Sequence, residues 1–147
     1  MFKNILIPTD GSELSQKAVA AGVALAKAVG ARVTGFFAAP PATPIVYRHH
    51  MPVGFAQPAE HAQLIEQTAA KYLDYVARAA EQAGVAYQCL HATNDYPADA
   101  ILDIANREQC DAIVMGTHGE GGLRGVFIGS VAQKVINQAK IPVMILR

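Results

Sequence analysis

Gly116–Ser130 reads GTHGEGGLRGVFIGS, and the fold turns on this stretch. It follows the apolar run Ala112-Ile113-Val114-Met115, the pattern of a strand buried on both faces. It leads into a helical pattern from Val131 to Ala139, with Val131, Val135, Ile136 and Ala139 expected to face inward. Ser130 followed by Gln133 is a capping-box pattern, so Ser130 is expected to cap that helix. Six glycines lie in the stretch: Gly116, Gly119, Gly121, Gly122, Gly125 and Gly129. A glycine-rich turn between strand and helix can seat a phosphate, because free N–H groups and the helix dipole converge there. Plain flexible loops have the same composition, so the stretch alone leaves both readings open.

The segments outward from it repeat the strand–helix alternation. Ile5-Leu6-Ile7, ended by Pro8, reads as a doubly buried strand. Thr9-Asp10-Gly11-Ser12 is a turn with Ser12 as N-cap. The helix that follows has Leu14, Ala18, Ala21, Gly22, Leu25 and Val29 on one stripe and Gly30 at its end. Gly22, mid-helix, is expected to permit close packing on the sheet. Arg32–Ala38 is the second strand, and Pro40–Pro58, with five prolines, reads as a long loop or partly ordered insert. A long helix runs from Ala59 to about Ala83, with Leu64, Thr68, Tyr72, Tyr75, Val76 and Ala79 as its stripe. Val85–Ala92 is the third strand, and Asp95 or Tyr96 caps a helix carrying Ile101, Leu102 and Ala105. Pro142–Leu146 is the last strand. Such an order implies a single α/β domain: an open parallel sheet with helices on both faces and right-handed crossovers.

Composition narrows the function classes. The chain has 147 residues, 52% of them hydrophobic, and a formal net charge of zero. That argues against nucleic-acid binding through a large basic field. No apolar run reaches the roughly 20 residues of a membrane span, and the N-terminal run is too short for a signal sequence. A cytoplasmic protein is expected, with no nucleic-acid or membrane partner. Cys89 and Cys110 lack metal-site spacing and fit reduced thiols.

In an open doubly wound sheet, ligands bind at the carboxyl ends of the strands where the winding reverses. Pro8-Thr9-Asp10-Gly11-Ser12 and the glycine stretch share one crevice if their strands are neighbours. Asp10 can then accept hydrogen bonds from a ribose or help hold a metal ion; alternatively it is only the Asx residue of its turn. Gly116, Gly119, Gly129 and Ser130 can offer backbone N–H groups to phosphates, and Ser130 can equally be no more than a cap. Neither G-x-x-x-x-G-K-[ST], nor G-x-G-x-x-G in the first turn, nor G-x-S-x-G occurs, which speaks against a P-loop, a dinucleotide site and a hydrolase elbow.

The spacing Gly116, two residues, Gly119, nine residues, Gly129-Ser130 resembles the G-2x-G-9x-G-[S/T] signature of the universal stress protein family. The opening from Ile5 to Ser12, the segment from Asp95 to Leu102 and the C-terminal run are also similar to that family, so the likeness extends from Lys3 to Arg147. The resemblance implies a five-stranded parallel sheet of order 3-2-1-4-5 and a homodimer through the last strand, Val143–Leu146. It also implies binding of ATP, with magnesium. Carried over by position, Pro8, Thr9 and Asp10 approach the adenosine, with Asp10 near the ribose, and Ala38 lies against adenine. Gly116, Gly119, Gly129, Ser130 and Val131 hold ribose and phosphates. Glu120 and Gly125 depart from the common pattern, in which basic side chains are frequent there, and Arg124 is the residue expected to supply the positive charge.

His118 lies inside the signature and reads either as a phosphate contact or as an exposed loop histidine. His49, His50 and His61 lack ligand spacing. The leading expectation is a nucleotide-binding stress-response module that acts through conformation and dimerisation. Hydrolysis, if any, is expected to be slow, because no lysine, arginine finger or general base is placed as in dedicated phosphoryl-transfer sites. The alternatives are a slow ATPase or nucleotidyl-transfer enzyme, and a dimerising interaction protein with a degenerate nucleotide site.

Overall fold

The computed structural model describes residues 1–41, 46–48, 51–53, 58–117 and 128–147. In chain order the elements are β1 (Asn4–Pro8), α1 (Glu13–Val29), β2 (Arg32–Ala39), β3 (Val46–Arg48), β4 (Met51–Val53) and α2 (Pro58–Ala83). Then follow β5 (Tyr87–Thr93), α3 (Pro97–Arg107), β6 (Ala112–Gly116), α4 (Ser130–Gln138) and β7 (Val143–Leu146). Five strands form one parallel sheet in the order β5-β2-β1-β6-β7. Counting only these strands, the order is the expected 3-2-1-4-5. The Pro40–Pro58 stretch, read as a long loop or partly ordered insert, contains the antiparallel pair β3–β4, with Val46 opposite Val53.

The apolar run of β1 serves two cores. Ile5 and Ile7 join α1 and α2 on one face of the sheet, while Leu6 joins α3 and α4 on the other. All three are fully buried, which is why the strand shows no polar alternation. The caps follow local chemistry. The Ser12 hydroxyl accepts from the Ser15 N–H at 3.2 Å, and Gly30 closes α1 at φ 71°. A Cβ at Gly22 would come within 3.0 Å of Ile7 Cγ1, so the glycine sets the helix-to-sheet distance as expected.

The helix stripes need correction. In α1 the buried residues are Ser15, Ala18, Val19, Gly22, Val23 and Ala26, with Leu14, Ala21, Leu25 and Val29 on the flank. In α2 they are Ile65, Ala69, Leu73, Val76 and Ala80, one position on from much of the expected stripe. Leu64 and Tyr75 are exposed. In α4, Ala132 and Val135 are buried and Ile136 is exposed. The physical reason is the sheet surface. Val76 fits over Gly35, where an added Cβ would lie 2.8 Å from its Cγ1, so α2 turns its smaller residues inward. Tyr72 then falls at the edge, in a T-shaped contact with Phe37 at 5.2 Å.

The amino end of the sheet is closed by side chains. Buried Asn4 accepts from the Thr34 hydroxyl at 2.9 Å and donates to the Glu108 carbonyl at 3.0 Å. Asp111 accepts from the N–H groups of Lys3 and Asn4 at 2.7 and 3.1 Å. Among the described residues no buried side-chain nitrogen or oxygen lacks a partner, and no helix is long and apolar enough to cross a membrane.

Candidate functional site

At the carboxyl end of the sheet, β1 and β6 are neighbours, and their following helices cover opposite faces. This is the point where the winding reverses, the place such sheets offer to ligands. The turn after β1 is held tightly. The Thr9 N–H donates to the Phe36 carbonyl at 2.8 Å, and its hydroxyl pairs with that of Ser15 at 3.1 Å. Asp10 Oδ1 accepts from the Ser12 N–H at 3.0 Å, so the Asx-turn role is present. Asp10 remains half-buried at the end of β1. Gly11 has φ +78° and lies against the Tyr72 ring, which a Cβ there would overlap.

The helix start opposite differs from the expectation. Ser130 is the first residue of α4, not its cap; the cap position belongs to Gly129 at φ −62° and ψ 154°, and among the described residues no side chain caps the helix. The first helical bond runs from the Gln133 N–H to the Gly129 carbonyl at 2.9 Å. By helix geometry, the N–H groups of Ser130, Val131 and Ala132 therefore have no partner within α4. Together with the dipole they form an anion-receptive end. The α1 start is unlike it, since Ser12 caps it. Gly129 was read as a phosphate donor, but its N–H is committed to the Thr117 carbonyl at 2.7 Å. Gly116 lies under α1, where a Cβ would meet Leu14 Cγ at 3.2 Å; its small size serves packing.

Ala38, near the end of β2, and Val131 pack against the same core cluster on the α3–α4 face. The structure thus brings Pro8, Thr9, Asp10, Ala38, Gly116, Gly129, Ser130 and Val131 to the same end of the sheet. Gly119 and Arg124 lie outside the described residues, as do His118, Glu120, Gly121, Gly122, Gly125, His49 and His50. Among the described residues no three His, Cys, Asp or Glu side chains are grouped to hold a metal ion. Burial pushes both thiols up from their ordinary value, Cys110 to about 11.

One constellation was missed from sequence. Lys134 Nζ lies 2.8 and 3.0 Å from the two carboxylate oxygens of Asp99, joining α4 to α3. It also stands 5.4 Å over the Tyr96 ring. The one local signal was the four-residue spacing of Ser130 and Lys134, which puts both on one helix face.

The model of the universal stress protein family matches residues 1–147. A universal stress protein of Thermus aquaticus is 33% identical over 147 residues, covering all of both chains. One from Methanocaldococcus jannaschii is 32% identical, covering all of this chain and 83% of its own. Universal stress protein UspA from Lactobacillus plantarum has a TM-score of 0.77 at 22% identity, covering 99% of this chain and 97% of its own. A universal stress protein in complex with cAMP has a TM-score of 0.69 at 23% identity, covering 99% of this chain and 97% of its own. One from Archaeoglobus fulgidus in complex with dAMP has a TM-score of 0.69 at 20% identity, covering 99% and 98%.

Proposed function

Since the chain belongs to the universal stress protein family, we propose that it is an adenine-nucleotide-binding regulatory module that takes ATP with magnesium. The observation that carries this reading is the start of α4, which no side chain among the described residues caps, set at the winding reversal beside the Asp10 turn. In this reading the N–H groups of Ser130, Val131 and Ala132 receive phosphate oxygens. Asp10 faces the ribose, and Pro8, Thr9 and Ala38 line the adenosine. Gly119 and Arg124 belong to the stretch that joins β6 to α4 and complete the phosphate seat. The two relatives solved with cAMP and dAMP support an adenine mononucleotide as the minimal ligand.

The module acts as a homodimer through β7 in this reading. Among the described residues β7 is an edge strand, and its Met144 is 45% exposed, so its outer backbone edge offers a place for a second copy to pair. Calorimetric titration with Mg-ATP is the direct test. A saturable signal with a thermal shift is expected; neither heat nor shift at millimolar nucleotide overturns the reading. One observation favours a second reading, a dimerising protein whose nucleotide site is degenerate: the Gly129 N–H is already taken by Thr117. A protein that ignores ATP yet still dimerises would fit that alternative.

A further inference from the structure

We propose that Lys134 is a phosphate contact held in reserve by Asp99, exchanging its carboxylate partner for the nucleotide's phosphates. This rests on the nucleotide reading above and adds to it a residue and a mode of control. Lys134 is the single charged residue of α4 and lies four positions after Ser130. Residues so spaced share a helix face, and helical side chains lean toward the N-terminus. The separation along the axis is about 6 Å, a distance the four-carbon stem covers. Once released from Asp99, the Lys134 side chain is long enough to extend toward the end of α4 where Ser130, Val131 and Ala132 start the helix.

The partners make the exchange inexpensive. A cation near a helix N-terminus is disfavoured by the dipole unless an anion accompanies it. Asp99 is that anion in the structure, at 2.8 Å. Both side chains are more than a third exposed, 38% and 39%. Pairs of this kind are weak and easily replaced. Asp99 itself sits in the first turn of α3, so it keeps a favourable dipole when the lysine leaves. A phosphate chain carries more charge than one carboxylate and forms stronger charge-assisted bonds. Tyr96, 5.4 Å from the ammonium, keeps the cation on this side of the α3–α4 junction.

Opposite signs distinguish this exchange from a structural clasp. ATP, AMP and adenosine are titrated into the wild type, Lys134→Met, Lys134→Arg and Asp99→Asn, each checked by thermal melting. Lys134→Met is expected to weaken ATP about fivefold, AMP less, and to leave adenosine within about twofold. Lys134→Arg is expected to retain ATP. Asp99→Asn, which frees the lysine, is expected to tighten ATP about two- to fivefold. If Lys134→Met and Asp99→Asn weaken ATP alike, or if neither changes it, the exchange is overturned while the nucleotide reading stands. If the wild type binds none of the three ligands, the nucleotide reading itself falls and takes the exchange with it.

Discussion

The N–H of Gly129 donates to the carbonyl of Thr117 at 2.7 Å, tying the start of α4 to the residue that follows β6. This bond brings the two ends of the glycine-rich stretch together at the reversal point. Gly129 needs no positive φ to make it, since its backbone is extended at φ −62°.

Gly129→Ala is expected to fold with a loss of about 0.5–1 kcal/mol, because alanine adopts this backbone without strain but is a poorer N-cap than glycine. Gly129→Val is expected to fold as well and to lose nucleotide binding by tenfold or more, because a branched side chain would stand in the proposed phosphate seat. Circular dichroism and ATP titration of the two variants check both halves. ATP binding unchanged in Gly129→Val would move the seat elsewhere.

Gly11→Ala is expected to destabilise the protein by about 2 kcal/mol or more, through left-handed backbone strain and overlap with the Tyr72 ring. Adding Tyr72→Ala should relieve the overlap but not the strain, at its own cost of lost contact with Phe37. Urea denaturation of the single and double variants would show this non-additivity. Simple additivity would mean that the ring yields freely.

Cys110 supplies a pH dependence. Burial pushes its thiol up from its ordinary value of 9.0 to about 11. Between those values the unfolded chain releases a proton that the native state keeps. The native state thus holds more protons, and stability falls as pH rises through the window, by up to about 1.4 kcal/mol per pH unit. Urea midpoints at pH 8, 9.5 and 10.5 should fall more steeply for the wild type than for Cys110→Ala. Parallel curves would remove the thiol from the account.

Met144→Lys, on the exposed edge strand β7, is expected to convert the proposed homodimer to a monomer while the helical signal stays intact. Size exclusion with light scattering gives the answer. A dimer that persists in the variant would place the contact on another surface.

Much of the fold was legible because its signals are local. The continuous apolar run Ile5-Leu6-Ile7 marks a strand that serves two cores, and Ser12 and Gly30 bracket α1 by hydrogen bonding and by φ. The misread parts depend on partners distant in the chain. Leu64 and Tyr75 look like core residues until α2 is seated over Gly35, which turns Ile65 and Leu73 inward instead. Ser130 reads as a cap because the pattern around it matches one. In the structure the cap position belongs to Gly129, whose carbonyl accepts from the Gln133 N–H.

Sequence alone determined the alternation of strands and helices, their approximate ends, and the two segments that meet at the carboxyl edge. These follow from periodicity and from steric limits on each residue's own backbone. Only the tertiary structure decided which face of each helix turns inward, that Tyr72 closes over Gly11, and that Asp99 holds Lys134 across 35 positions of chain. Such contacts are set by how whole elements pack together, and no local pattern of residues encodes that packing.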